Sequence, residues 1–276
     1  MNSNSIVFLN GKYLNANEAK LNVSYLAILR GYGVFDYLRT QNKKPFHLAD
    51  HLIRFRNSAN GLHLNLKYDD EALSEIISAI ISQNKFDETG IRIELTGGYS
   101  ENGMTSEEPN IFVYADTVNF PTPDELYNGV AVMTNNFQRE SPEIKTINYL
   151  RALQLMPERL EKNVFEVLYY HQGLVTEFSR SNVFILKNGI LKTPSANILK
   201  GITRMVTIKI ASSEFDVHET QLSIEELFEA DEVFLTGTTK QILPVTKIDD
   251  KIFSNGIVGK QTSRLIQLFK EYEANW

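Results

Sequence analysis

Cysteine is absent from the 276 residues, which excludes disulfides, thiolate catalysis and cysteine-ligated metals. Histidine is scarce, with five in all. His47 and His51 stand four apart, but the segment PFHLAD reads as a strand end running into a helix cap. That pair then straddles a boundary, and no metal site is expected. Basic runs are also missing, and the formal net charge is -6. Binding nucleic acid through overall charge needs a basic face, so that class is set aside. No apolar window reaches the length a membrane helix needs, and MNSNSIVFLNG lacks a positive leader region. No membrane partner is expected, and the expected location is cytoplasmic.

What is present suits an ordinary globular chain: 42% hydrophobic and 22% charged residues, with sixteen Phe and twelve Tyr. The length suits two packed domains better than one core. Ser5–Asn10 and Gly33–Gln41 have strand character, and Pro45–His47 is placed to return as a hairpin partner. Asp50–Leu62 and Asp69–Lys85 have helical spacing; the second starts on two aspartates that suit the helix dipole. Ile91–Gly98 and Asn110–Asp116 follow as strands. Val118–Pro123 carries two prolines at the end of a strand pattern and marks a linker. The expected division is a small α+β domain over 1–118, a linker over 119–125 and a larger domain over 126–276. In the latter, Val130–Thr134, Phe165–Tyr170, Asn182–Leu186 and Glu232–Leu235 read as strands, and Thr203–Ser213 and Val258–Glu273 as helices. Pro157 should interrupt the helical pattern between Ile147 and Glu161. Gly31-Tyr32-Gly33 is no dinucleotide loop, because it does not follow a strand and open a helix.

Six segments recur in a fixed order: RGYGVFD (30–36), HLIRFRNSA (51–59), KTINYL (145–150), VTEFSRSNVF (175–184), TPSANILKGITR (193–204) and LTGTTKQILPV (235–245). In these segments, over nearly its whole length, the chain resembles the class IV aminotransferases, the fold type IV enzymes dependent on pyridoxal 5′-phosphate (PLP). That group includes D-amino-acid and branched-chain aminotransferases and aminodeoxychorismate lyase. The resemblance implies a mixed α/β fold, with a small α+β domain and a larger domain with a barrel-like β core. It also implies PLP as cofactor, amino acids and 2-oxo acids as substrates, and a homodimer.

The chemistry explains why these residue types are needed. PLP requires a lysine that holds its aldehyde as a Schiff base and shuttles the Cα proton. The resemblance gives that role to Lys145, although a lone lysine is solvated in most folds. The ring must stay protonated to act as an electron sink, which needs a carboxylate, matched by Glu177. The phosphate needs a helix N-terminus. The resemblance assigns it to the amides of Ile202 and Thr203, with Arg54 and the Thr238 hydroxyl; Thr203 would otherwise be an ordinary N-cap. Arg56 is expected in solvent. Tyr149 matches a tyrosine that bonds the ring's phenolic oxygen.

The substrate is read from departures. The Arg-x-His loop of the best-known D-amino-acid aminotransferases corresponds here to GGYSENGMTSEE, with neither residue. Two tyrosines usual in branched-chain enzymes are replaced by Arg30 and Gly90. Arginines suit a carboxylate through paired charged bonds. The chain thus resembles an atypical group of D-amino-acid transaminases in which Arg30, supplied across a dimer, and Arg92 bind substrate carboxylates, with Thr239 in the adjoining turn also on the substrate. Lys240 stands where branched-chain members have a small residue, and it is rejected as the cofactor lysine. The expectation is a ping-pong transaminase acting on a D-amino acid such as D-glutamate or D-alanine. An L-branched-chain transaminase, an aminodeoxychorismate lyase and a non-catalytic PLP-binding protein stay open as rivals, in that order.

Overall fold

The computed structural model describes residues 5–276. The chain divides into two compact units: one holds the chain up to Asn119 with Ile144–Asn148, the other Phe120–Glu143 with Tyr149–Trp276.

The first unit runs β1 (Ile6–Leu9), β2 (Lys12–Asn15), α1 (Leu26–Arg30), β3 (Gly33–Gln41), β4 (Lys44–Pro45), α2 (Leu48–Gly61), α3 (Asp70–Asn84), β5 (Thr89–Thr96) and β6 (Asn110–Thr117). Its six-stranded sheet has the order β2-β1-β6-β5-β3-β4, and every pair is antiparallel. Side chains alternate between the faces of a strand. Val34, Ile91, Ile93, Leu95, Ile111 and Val113 therefore share one face, buried against Phe55 and Ala59 of α2 and Ile76, Ile77 and Ile80 of α3. Phe35, Tyr37, Arg92, Glu94, Phe112 and Tyr114 share the opposite face by the same registers. The α3 ends are set locally: Asp69 accepts from Ala72 N at 2.8 Å, and Lys85 closes the helix at φ 50°. His47 is not a strand residue. It takes φ 54° as the residue before α2; the return along β3 consists of Lys44 and Pro45 and ends where Phe46 N donates to Arg39 O at 2.8 Å.

The second unit continues with α4 (Pro123–Asn128), β7 (Val130–Asn136), α5 (Leu150–Gln154), α6 (Met156–Glu161), β8 (Glu166–His171), β9 (Leu174–Phe178), β10 (Asn182–Lys187), β11 (Ile190–Pro194), α7 (Ile202–Ala211), β12 (Asp216–Thr220), α8 (Ile224–Phe228), β13 (Glu232–Gly237), β14 (Gln241–Ile248), β15 (Lys251–Ile252) and α9 (Lys260–Ala274). Pro157 does break the pattern: α5 stops at Gln154, Leu155 caps it, and α6 begins anew with the proline in its first turn. The strand order is β12-β11-β10-β13-β14-β7-β8-β9, with β15 on β14. This sheet curls, so that β9 also lies against β10 and β11. Both faces are covered. Val183, Ile185, Val233, Leu235 and Leu243 form one core. Phe184, Phe234 and Ile242 pack on the other side with Val206 of α7 and Leu265 of α9. Near-continuous apolar runs such as NVFIL follow from double coverage. No helix of the described residues is long and apolar enough to cross a membrane.

Candidate active site

In the first unit, Lys145 is held through its backbone. Phe35 N donates to Lys145 O at 2.9 Å, and Ile147 N donates to Gly33 O at 3.0 Å. Lys145 N donates to the buried Ser58 Oγ of α2 at 3.1 Å. Thr146 bridges Val34, so the segment runs as a short strip along the start of β3. Gly33 makes room for it: a Cβ there would stand 3.1 Å from both Ile147 Cδ1 and Leu95 O. The Lys145 side chain leads to Phe35, with Nζ 4.5 Å from the ring centroid. Arg92 reaches the same ring, its Cζ 3.8 Å from the centroid, and its Nε donates to Glu94 Oε2 at 2.7 Å. One buried aromatic ring thus holds two cations, a geometry ring quadrupoles favour.

On the helix face of the same sheet lies one carboxylate, Asp36, fully buried. Arg54 grips it with two bonds of 2.8 Å, from Nε to Oδ2 and from Nη2 to Oδ1, and His51 Nδ1 stands 2.7 Å from Oδ1. Burial pushes the Asp36 carboxyl up, but Arg54 and then His51 overcome it and hold the group well below the usual carboxylate range. Burial pushes the His51 imidazole down, against the pull of Asp36, while Arg54 and Lys145 push it further down. Arg56 is half-buried rather than free in solvent. It ties α2 to α3 through Asp70 Oδ1 at 2.6 Å and the Tyr68 carbonyl at 2.7 Å. Arg30 stays outside these groups. It is exposed at the end of α1, donates to Leu29 O at 2.9 Å and leans towards Gly103.

In the second unit, Glu177 is buried on β9 and held at both oxygens. Arg139 Nε donates to Oε1 at 2.7 Å, and Leu199 N donates to Oε2 at 2.9 Å. Asn182 takes the other side of the same residue, donating to Leu199 O at 2.7 Å. That loop leads into α7. Gly201, not Thr203, is the N-cap, and it offers no side chain. A Cβ on Gly201 would collide with Asn182 Oδ1, which explains the glycine. Arg204 is buried away from the helix start, donating to Pro194 O and Glu219 Oε2 at 2.8 Å each. Thr236, paired with Asn182 across β10 and β13, buries its Oγ1 with no hydrogen-bond partner among the described residues. Thr238 and Thr239 sit half-buried in the turn between β13 and β14. Tyr149 is the residue before α5. Lys240 is buried, and its Nζ donates to Glu166 Oε2 at 2.6 Å and Ser181 Oγ at 2.7 Å.

Two participants escaped the sequence motifs. Arg139 lies in a polar loop with no pattern around it, and only its ion pair with Glu177 marks it. Glu166 reads as the second residue of the expected strand and carries no signal of its four donors. Among the described residues no group of three or more His, Asp or Glu is placed to hold a metal. The donor set does suit PLP. In the first unit an amine stands on an aromatic ring; in the second a buried carboxylate is oriented from both sides, a helix of ten residues starts without a side-chain cap, and the Thr236 hydroxyl is buried without a partner among the described residues.

Comparison with known proteins agrees with this chemistry. The family model for amino-transferase class IV matches residues 33–248. A protein of Methanocaldococcus jannaschii, provisionally named a branched-chain-amino-acid aminotransferase, is 33% identical over 98% of this chain and 97% of its own. The D-alanine aminotransferase of Staphylococcus epidermidis is 32% identical over 96% and 97%. Among solved structures, the branched-chain amino acid aminotransferase of Escherichia coli superposes with a TM-score of 0.91 at 27% identity, covering 97% of this chain and 94% of that one. A second branched-chain enzyme, solved with pyridoxamine 5′-phosphate, superposes with the same TM-score of 0.91 at 26% identity, over 98% of this chain and 94% of its own.

Proposed function

The chain belongs to the aminotransferase class IV family, and we propose that it takes the amino group of a D-amino acid, D-glutamate or D-alanine, and passes it to a 2-oxo acid in two half-reactions. At the coarser level it is a PLP-dependent aminotransferase of fold type IV, with amino and 2-oxo acids as substrates. When bound, PLP supplies an electron sink for the pair left on the substrate Cα.

The roles proposed for this chain's residues follow from their chemistry. Lys145 Nζ carries the cofactor and moves the Cα proton. Glu177 holds a proton at the ring nitrogen, oriented by Arg139 and the Leu199 amide. The amides of Ile202 and Thr203, the Thr238 hydroxyl and Arg54 bind the phosphate, with Asp36 fixing Arg54. Tyr149 bonds the ring's phenolic oxygen. Arg92 binds a substrate carboxylate, Thr239 lies against the substrate, and the exposed Arg30 serves a neighbouring copy in a homodimer.

The observation that supports the reading is the shared ring of Phe35: Arg92, the cation proposed for the substrate carboxylate, and Lys145, the amine proposed for the cofactor, stand 3.8 and 4.5 Å from its centroid. Rates of the first half-reaction with D-glutamate, D-alanine and L-leucine test it, followed as loss of the cofactor's yellow colour. Bleaching by the D-amino acids and its return with a 2-oxo acid are expected. Rapid turnover of L-leucine with none of either D-amino acid would overturn the handedness. That second reading, an L-branched-chain transaminase, draws on the solved branched-chain enzymes the chain superposes on. Pyruvate released from aminodeoxychorismate without a 2-oxo acid would indicate a lyase instead.

A further inference from the structure

Gly90 has an ordinary backbone conformation, so its lack of a side chain is not imposed by φ. Space imposes it. A Cβ on Gly90 would stand 2.7 Å from Tyr37 Cζ and 3.3 Å from Tyr37 Cε2, with Oη closer still. The phenol of Tyr37 therefore occupies the volume that a side chain at position 90 would take.

The location of that phenol matters. Tyr37 lies directly opposite Arg92 in the register of β3 and β5, and it follows Phe35 by one pleat on the same sheet face. Lys145, Phe35, Arg92 and Tyr37 thus form a continuous row along this face. Tyr37 is half-buried. Burial, with Asp116 and Tyr114 nearby, pushes its hydroxyl up to about 12 against the pull of Arg92, so the group is a neutral wall at working pH.

We infer that Tyr37 sets the size of substrate side chain the enzyme accepts: its ring, seated over Gly90, closes the space beside Arg92 to bulky aliphatic and aromatic side chains and leaves it open to compact or carboxylate-bearing ones. This rests on the reading that Arg92 faces the substrate. A specificity wall need only supply bulk, and one methylene of pocket volume changes discrimination about 10- to 200-fold. The phenol can therefore be moved to the other strand without losing its effect.

The test uses PLP-loaded enzyme and first half-reaction kcat/KM with alanine, glutamate and phenylalanine, each in both enantiomers. Tyr37→Ala should raise the phenylalanine-to-alanine ratio tenfold or more. Tyr37→Phe should leave it within about twofold. The exchange Tyr37→Gly with Gly90→Tyr should return it close to wild type, because the same volume is refilled from position 90. If Tyr37→Ala does not fold, Tyr37→Leu carries the same expectation at smaller amplitude. A ratio within twofold of wild type in the truncated variant, with normal cofactor absorbance and circular dichroism, overturns the inference alone. Rates unaffected by Arg92→Ala, or a wild type that accepts no amino acid, overturn the parent reading and the inference together.

Discussion

Lys240 Nζ donates to Glu166 Oε2 at 2.6 Å, and Glu166 is fully buried. The carboxylate also accepts from Ser179 Oγ and Ser181 Oγ at 3.0 Å and from Arg180 N at 2.6 Å. One side chain on β8 therefore ties down both the turn before β10 and the turn that carries Thr238 and Thr239. For Glu166, burial raises the pKa, and Lys240, with Arg180 and Ser181, more than reverses it; for Lys240, burial wins and its pKa falls despite Glu166. The pair remains the partner each group needs. Removing one member of a buried pair costs roughly 3–5 kcal/mol, because the other charge is left behind. Lys240→Met should lower Tm by on the order of 10 °C. Glu166→Gln with Lys240→Met should recover much of the loss. Calorimetry of the single and double variants checks this, and a silent single variant would contradict it.

Stability should also fall between pH 7 and pH 5, through His51. Its folded pKa lies below the ordinary 6.5, burial being the largest cause. The unfolded chain then binds more protons than the fold below that value, so acid favours unfolding. Asp36 acts later. Its folded pKa is depressed, so its contribution holds above 3.8 and is lost only as pH falls further. His51→Asn keeps a donor near Asp36 and removes the titration. Its Tm should vary less from pH 7 to 5 than that of wild type, while the decline below pH 4 persists. Parallel Tm profiles for the two proteins over pH 7 to 5 would rule out His51 as the source.

Arg139 offers a check on a residue no motif marked. It supplies a charged hydrogen bond to Glu177 Oε1 and anchors itself on Pro142 O at 2.5 Å. A hydrogen bond to a charged group is worth about 1.5–3 kcal/mol, which corresponds to roughly 10- to 100-fold in rate. Arg139→Leu should lower kcat by that factor with substrate KM little changed, and Arg139→Lys should restore part of it. Steady-state kinetics of both variants decide the matter. A larger effect on KM than on kcat would place Arg139 on the substrate rather than behind Glu177.

How far the sequence could be read follows from the physics of each element. Strands with alternating burial, such as β5, and helices with strong ends, such as α3, were legible because their signals are local. β12 was not: as an edge strand it reads DVHET, polar along its length, as edges tend to be. β14 hides behind Pro244, which argues against a central strand. The structure tolerates it because pairing with β7 begins only at Val245, at the first residue of β7. The strip at 144–147 pairs with residues more than a hundred positions earlier and has no local signature. The same holds in the site. KTINYL and VTEFSRSNVF mark Lys145 and Glu177 as motifs, whereas Arg139 and Glu166 gain their meaning only from partners that folding brings to them.

Gly201 should be intolerant of even one added methyl. Its φ of -67° is available to any residue, so backbone strain is not the reason. The reason is Asn182, whose Oδ1 occupies the place of a Cβ while its Nδ2 holds Leu199 O at 2.7 Å. Asn182 cannot withdraw without releasing Leu199, and Leu199 N is one of the two donors that orient Glu177. Gly201→Ala should therefore shift the start of α7 and loosen Glu177 together. PLP should bind at least tenfold more weakly by equilibrium dialysis, whereas Tm of the cofactor-free protein should fall by only a few degrees. Asn182→Ala added to Gly201→Ala relieves the collision but leaves Leu199 O without its donor, so PLP affinity should recover only in part. Full recovery in the double variant would show that the collision alone matters and that Asn182 contributes nothing through Leu199. Unchanged affinity in Gly201→Ala would show that α7 yields to the methyl without cost and that its start is not held where Asn182 puts it.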